Sequence, residues 1–225
     1  VWENGRYLTD LIGDKAIDFI DRHADEEFFL SVPFNAPHYP MHAPREYLDR
    51  YPDLPPDRRI MAAMVSAVDD NVGRIMAALN SHGLADDTVV FFSSDNGPST
   101  ETRNWLDGTP DKYYGGSAGI FRGHKASLFD GGIREPGVLC WPNGIPGGRV
   151  SDELCATIDI FPTFCEIADI DLPNDRVIDG KSILGVARGT EKSPHERMYW
   201  EYGHGNQRAV RRGPWKLVLN GRLDF

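Results

Sequence analysis

Val89-Val90-Phe91-Phe92-Ser93-Ser94-Asp95-Asn96-Gly97 is the stretch on which the fold turns. Four apolar residues run without alternation, so both faces of the segment ask for cover, as in a strand of a parallel sheet. Turn-forming residues follow at once. Upstream, Ile60, Met64, Val65, Val68, Val72, Ile75, Met76 and Leu79 mark one face of a long helix. Pro55-Pro56 opens it with Asp57 as a cap, and Gly83 fits its stop. Earlier still, Phe28-Phe29-Leu30-Ser31-Val32 reads as a buried strand ended by Pro33. Strand, helix, strand is the βαβ pattern of an α/β domain. It sets Asp95 and Asn96 at a strand's carboxyl end, the edge where open α/β sheets bind ligands.

Further out, apolar residues at 8, 12, 16, 19 and 20 predict a helix over Leu8–Ile20. Val138–Trp141 reads as a short strand, and Asp159–Ala168 as a helix with Pro162 near its first turn. Met198–Tyr202 and Trp215–Leu219 read as a strand pair, so an antiparallel element begins near Ser193. The expected division is residues 1–192 for an α/β catalytic domain and 193–225 for the start of a small antiparallel subdomain. Between Pro98 and Gly132 lies a glycine-rich loop too long to be a mere connection.

Composition narrows the function classes. The net charge is −10, with 34 acidic residues against 24 basic, which argues against a nucleic-acid partner. It leaves room for an anionic small molecule, because a few local cations can dominate a pocket. Three cysteines without Cys-x-x-Cys spacing suggest neither a disulfide framework nor zinc. No apolar run approaches the length of a membrane span. The sequence opens at Val1 with no signal-peptide pattern and closes just after a strand-like stretch, so both ends are expected to be cut.

Five residues carry chemistry. Asp95 and Asn96 offer a carboxylate and an amide oxygen, a set suited to calcium or magnesium; taken alone, Ser-Asp-Asn-Gly favours an ordinary turn. His38 sits in Asn35-Ala36-Pro37-His38-Tyr39-Pro40, where prolines stiffen the backbone around one imidazole, as a proton donor requires. Taken alone it reads as a surface histidine, and His42 competes for the role. Lys125, between glycines in Gly123-His124-Lys125-Ala126-Ser127-Leu128-Phe129-Asp130-Gly131-Gly132-Ile133-Arg134-Glu135-Pro136, can hold an oxyanion as a point charge, although most lysines are solvated. His124 beside it is a further candidate for substrate contact. Arg134 reads as structural, paired with Glu135 or Asp130.

The order of these segments resembles the type I sulfatase family. Ala-Pro-His-x-Pro, an amphipathic helix, Phe-Ser-Ser-Asp-Asn-Gly and Lys-x-x-x-x-Asp-Gly-Gly-Ile-Arg-Glu-Pro follow one another as in that family. Trp141-Pro142-Asn143-Gly144, Asp159-Ile160-Phe161-Pro162-Thr163, Asp179-Gly180-Lys181-Ser182-Ile183 and Arg211-Arg212-Gly213-Pro214-Trp215-Lys216-Leu217 extend the likeness over nearly the whole chain. The resemblance implies an alkaline-phosphatase-like α/β fold, mostly parallel, and metal-assisted hydrolysis of a sulfate ester by a formylglycine. It maps Asp95 and Asn96 to metal ligands, calcium before magnesium, Lys125 to the sulfate-binding lysine, catalytic with His38, and His38 to the leaving-group oxygen, which it touches as catalytic acid; His124 is expected to contact substrate beside them. Asp130 replaces the glutamate often found before Gly-Gly. The nucleophile motif Cys-x-Pro-Ser-Arg and the paired upstream aspartates are absent, so these residues by themselves are expected to be inactive. The substrate expected is a sulfated carbohydrate, with the polar Ser99–Asp111 loop lining a sugar subsite. A homo-oligomer is compatible with this reading, as is a periplasmic, secreted or lysosomal-type compartment. Two rivals stay open: a phosphate mono- or diester hydrolase of the same fold, and a non-catalytic binding protein.

Overall fold

The computed structural model describes residues 2–3, 5–100 and 115–220. They fall into two compact units, one of residues 1–88 with 94–135 and the other of residues 89–93 with 136–225. In the first unit, short antiparallel strands β1 (Trp2–Glu3) and β2 (Arg6–Tyr7) lead into helix α1 (Leu8–Arg22). Helices α2 (Arg45–Leu48), α3 (Pro56–Ser81) and α4 (Asp130–Ile133) follow. The core gathers on α3, where Ile60, Ala63, Met64, Ala67 and Val68 pack with Met41, Ala43 and Tyr47. Alanines at 63 and 67, both fully buried, keep that face narrow enough for the loop residues to close on it.

The buried face of α1 is Thr9, Gly13, Ala16 and Ile20, rotated slightly from the expected apolar stripe. The reason is close packing on α3: a Cβ at position 13 would overlap the Asn71 side chain. Asn71 is buried yet satisfied. It donates to Asp10 Oδ1 and the Ala67 carbonyl, each at 2.8 Å, and accepts from Arg74 at 2.8 Å. Pro55, not Asp57, occupies the cap position of α3, and no side chain caps it. Proline needs no donor there, and Asp57 acts instead through its charge in the first turn. At the other end Gly83, with φ +71°, and Leu84 close the helix by bonds to the Asn80 and Leu79 carbonyls at 3.0 and 2.8 Å.

In the second unit β3 (Val90–Ser93) pairs antiparallel with β4 (Gly137–Cys140), Val90 opposite Cys140 and Ser93 opposite Gly137. A 3-10 turn (Thr157–Asp159), α5 (Ile160–Ile167) and α6 (Leu184–Arg188) come next. Three antiparallel strands close the chain: β5 (Arg197–Tyr202), β6 (Gln207–Arg212) and β7 (Trp215–Asn220). Tyr199, Val210 and Leu217 lie side by side across them. Gly213, at φ +54°, starts the two-residue turn between β6 and β7.

Three local expectations change. Residues 28–32 lie outside any strand, and Phe29 is 75% exposed. Among the described residues β3 has the antiparallel β4 as its neighbour rather than a parallel strand. A strand exists through its neighbours, and an apolar run states a demand for cover that these residues do not meet. The strand pair expected after Ser193 is a three-stranded sheet; its middle strand, Gln207–Arg212, is too rich in arginine to announce itself.

Candidate active site

All five candidate residues belong to the first unit. His38 is exposed in the loop whose Ala36-Pro37 and Tyr39-Pro40 peptide bonds are both cis. Its backbone N–H donates to the Asn35 carbonyl at 2.9 Å. Its Nδ1 lies 2.6 Å from the Tyr39 carbonyl oxygen, and its ring stacks on that of Tyr39 at 4.5 Å with 29° between planes. A carbonyl can only accept, so Nδ1 carries a proton. Nε2 is 3.1 Å from the Lys125 ammonium and accepts from it.

Lys125 is fixed at three points. Its N–H donates to the Pro98 carbonyl at 2.8 Å, its carbonyl accepts from His124 Nδ1 at 2.6 Å, and its Nζ meets His38. The turn that aims it is unusual. Gly123 has φ +93°, and a Cβ there would come within 2.7 Å of Ser127 Oγ. Ala126 sits at φ +68°, a left-handed conformation that costs a non-glycine residue about 1–2 kcal/mol. Thr100 Oγ1 lies 3.4 Å from His124 Nδ1.

Asp95 and Asn96 lie in a loop laced to this turn. Gly97 N–H donates to the Gly132 carbonyl at 3.1 Å, and a Cβ at 97 would overlap the Gly131 carbonyl. That bond and the Lys125–Pro98 bond hold the two loops together. The Asn96 amide nitrogen donates to the Gly97 carbonyl at 3.0 Å, so Oδ1 is the atom it can offer a cation. Glu135 carries its pKa above the ordinary value, through burial first and then the charge of Asp95. Hard oxygens beside a crowded carboxylate suit calcium or magnesium, and a cation would relieve the repulsion. Among the described residues no cluster of three histidine, cysteine or acidic groups forms. Asp95 and Asn96 thus fit part of such a site, two of the roughly 6–8 oxygens calcium takes.

The other candidates fall elsewhere. His42 does not take the place of His38. Its carbonyl accepts from the Tyr7 hydroxyl at 2.9 Å, its ring stands edge-on to Tyr7, and burial lowers its pKa. Arg134 lies over the Phe121 ring at 4.8 Å and 3.8 Å from Asp130, in keeping with a structural role. Of the loop expected to line a sugar subsite, residues 101–111 lie outside the described residues. Sequence reasoning passed over Tyr39 and Glu135. Tyr39 occupied the variable position of its motif, and Glu135 figured only as a partner for Arg134.

The family model described as Sulfatase matches residues 1–170, and the chain belongs to that family. Human steryl-sulfatase is 32% identical over 208 residues, covering 92% of this chain and 34% of its own. Mouse N-acetylgalactosamine-6-sulfatase is 38% identical over 219 residues, covering 94% and 38%. The chain therefore spans about a third of the length of these curated relatives. Among solved structures, Ps i-CgsB in complex with k-i-k-neocarrahexaose superposes with a TM-score of 0.84 at 28% identity, over 96% of this chain and 47% of that one. The fold is the α/β fold of alkaline-phosphatase-like sulfatases, with a small antiparallel sheet at its C-terminal end.

Proposed function

We propose that the whole protein is a sulfuric ester hydrolase acting on a sulfated carbohydrate. The observation that carries this is the 3.1 Å contact between the Lys125 ammonium and His38 Nε2, drawn from segments 87 residues apart and each pinned by its own loop. A fixed cation can hold a sulfate oxygen, and an adjacent imidazole can pass a proton to the departing alkoxide. Lys125 binds the sulfuryl group, His38 acts as the imidazolium, giving the leaving oxygen a proton taken up at Nε2 while Nδ1–H stays on the Tyr39 carbonyl, and His124 contacts the substrate beside them. Asp95 and Asn96 would hold a divalent cation, calcium before magnesium, which neutralises sulfate charge when bound. A formylglycine would supply the nucleophile, and no Cys-x-Pro-Ser-Arg in these 225 residues provides it. Residues 193–225 begin a small antiparallel subdomain of the whole protein. The carbohydrate preference draws support from the relative named N-acetylgalactosamine-6-sulfatase and from the k-i-k-neocarrahexaose in the similar structure.

The test is kcat/KM of the whole protein on a nitrophenyl sulfate and a sugar sulfate, with thermal unfolding alongside. Lys125→Ala should lose about 10²–10³-fold on both substrates, as removal of an oxyanion donor does. His38→Ala should lose about 10²–10⁴-fold on the sugar sulfate, whose alkoxide needs a proton, and far less on the nitrophenyl ester. Equal His38 losses on the two substrates would reject the acid role. A steroid sulfate turned over faster than any sugar sulfate would reject the carbohydrate.

A further inference from the structure

We propose that Tyr39 is the positioning residue of His38, its ring and carbonyl together holding the imidazole with the proton on Nδ1 and with Nε2 facing Lys125. The inference rests on the proposed function for its purpose and on geometry for its substance. His38 is exposed, and an exposed imidazole has no packing of its own to stop rotation about its two side-chain torsions. Here it is restrained on three sides. The Tyr39 carbonyl takes Nδ1–H at 2.6 Å, the Tyr39 ring covers one face at 4.5 Å, and the Lys125 ammonium meets Nε2 at 3.1 Å.

Two of those three restraints come from one residue, and that residue is not loose. The Tyr39 ring is half-buried and packs against the hydrophobic cluster of the first unit, with Met41, Ala43, Tyr47 and Met64 among its members. The core fixes the phenol ring, the phenol ring fixes the imidazole plane, and the carbonyl selects the tautomer. The opposite tautomer would set an N–H against an ammonium, two donors with no acceptor between them. His124 repeats the carbonyl contact, Nδ1 to the Lys125 oxygen at 2.6 Å, with Thr100 Oγ1 at 3.4 Å from the same nitrogen. It serves as an internal comparison.

The experiment is a long-range proton–nitrogen correlation spectrum of the histidines in the ¹⁵N-labelled chain, for wild type, Tyr39→Phe and Tyr39→Leu. Leucine keeps apolar bulk on the core while removing the stacked ring, and phenylalanine keeps both. Wild type should show His38 protonated at Nδ1, and Tyr39→Phe should match it. In Tyr39→Leu the ratio of the Nδ1–H to the Nε2–H form should fall about two- to tenfold, the size of a lost aromatic pair. His42, in the same unit with its ring edge-on to Tyr7, reports the fold around Tyr39 in every sample, and His195, whose Nε2 meets Asp159 at 2.7 Å, reports the other unit. A neutral wild-type His38 with its proton on Nε2 rather than Nδ1, or a Tyr39→Leu spectrum unchanged at His38, would overturn the proposal. Neither readout needs turnover, so a protein that never cleaved a sulfate ester could still pass. An active sulfatase with a freely mixed His38 tautomer would sink the positioning and leave the activity standing.

Discussion

His38 and His195 are the same side chain put to opposite uses. His38 is exposed in the first unit, with a cation against Nε2 and an aromatic ring over one face. His195 lies in the second, its side chain 7% exposed, with Nε2 2.7 Å from an Asp159 carboxylate that is 0% exposed. Asp159 also accepts the backbone N–H of Ala156 at 2.8 Å and of Lys181 at 2.9 Å, and Thr163 Oγ1 donates to its carbonyl at 2.6 Å. Ala156, Lys181 and His195 all hydrogen-bond that carboxylate, so the group ties three stretches of chain together. Cys155 feels the same surroundings: burial, then the charges of Asp159 and Glu153, push its thiol up to about 11. A histidine whose Nε2 meets a buried carboxylate has that nitrogen closed to a substrate. The His38 Nε2 instead meets a cation at an exposed position.

The contrast is best broken at Asp159. Asp159→Ala strips a histidine and two backbone donors of their acceptor, and should cost about 3–5 kcal/mol in chemical denaturation. A loss under about 1 kcal/mol would mean that the pair is ornamental and the contrast false. Gly97→Ala tests the other side, where backbone rather than charge holds the site. Its Cβ would overlap the Gly131 carbonyl, so the two loops must part, at about 1–3 kcal/mol by thermal unfolding. Unchanged stability there would show that the loops give way easily, and that Lys125 is aimed by its own turn alone. The smallest effect belongs to His38→Ala, which should leave stability within about 0.5 kcal/mol of wild type, as exposed positions do. A cost as large as that at Asp159 would turn His38 into a structural residue.

The candidate site was chosen on local motifs. His38, Lys125, Asp95 and Asn96 stand in motifs whose spacing narrows the choice of residue, and helix α3 declares itself by periodicity. What the sequence hid was pairing. The flanking prolines and the Ala-Pro-His-x-Pro motif put His38 ahead of His42, but that the His42 ring stands edge-on to Tyr7 while His38 meets Lys125 came only from tertiary packing. Nothing linked His195 to Asp159, 36 residues away, although Asp159 opened a motif already singled out. Glu135 was read by its charge, while its burial beside Asp95 came from loops closing on each other.

The residues themselves determined helices α1, α3 and α5, the stop at Gly83, and the chemistry available to the candidate site, because periodicity, turn preference and side-chain type act over a few residues. Tertiary structure alone decided which strands found partners and which apolar runs went without. It also decided which imidazole met the lysine and which met the aspartate. Those outcomes depend on hydrogen bonds and burial between segments tens of residues apart, where no local preference reaches.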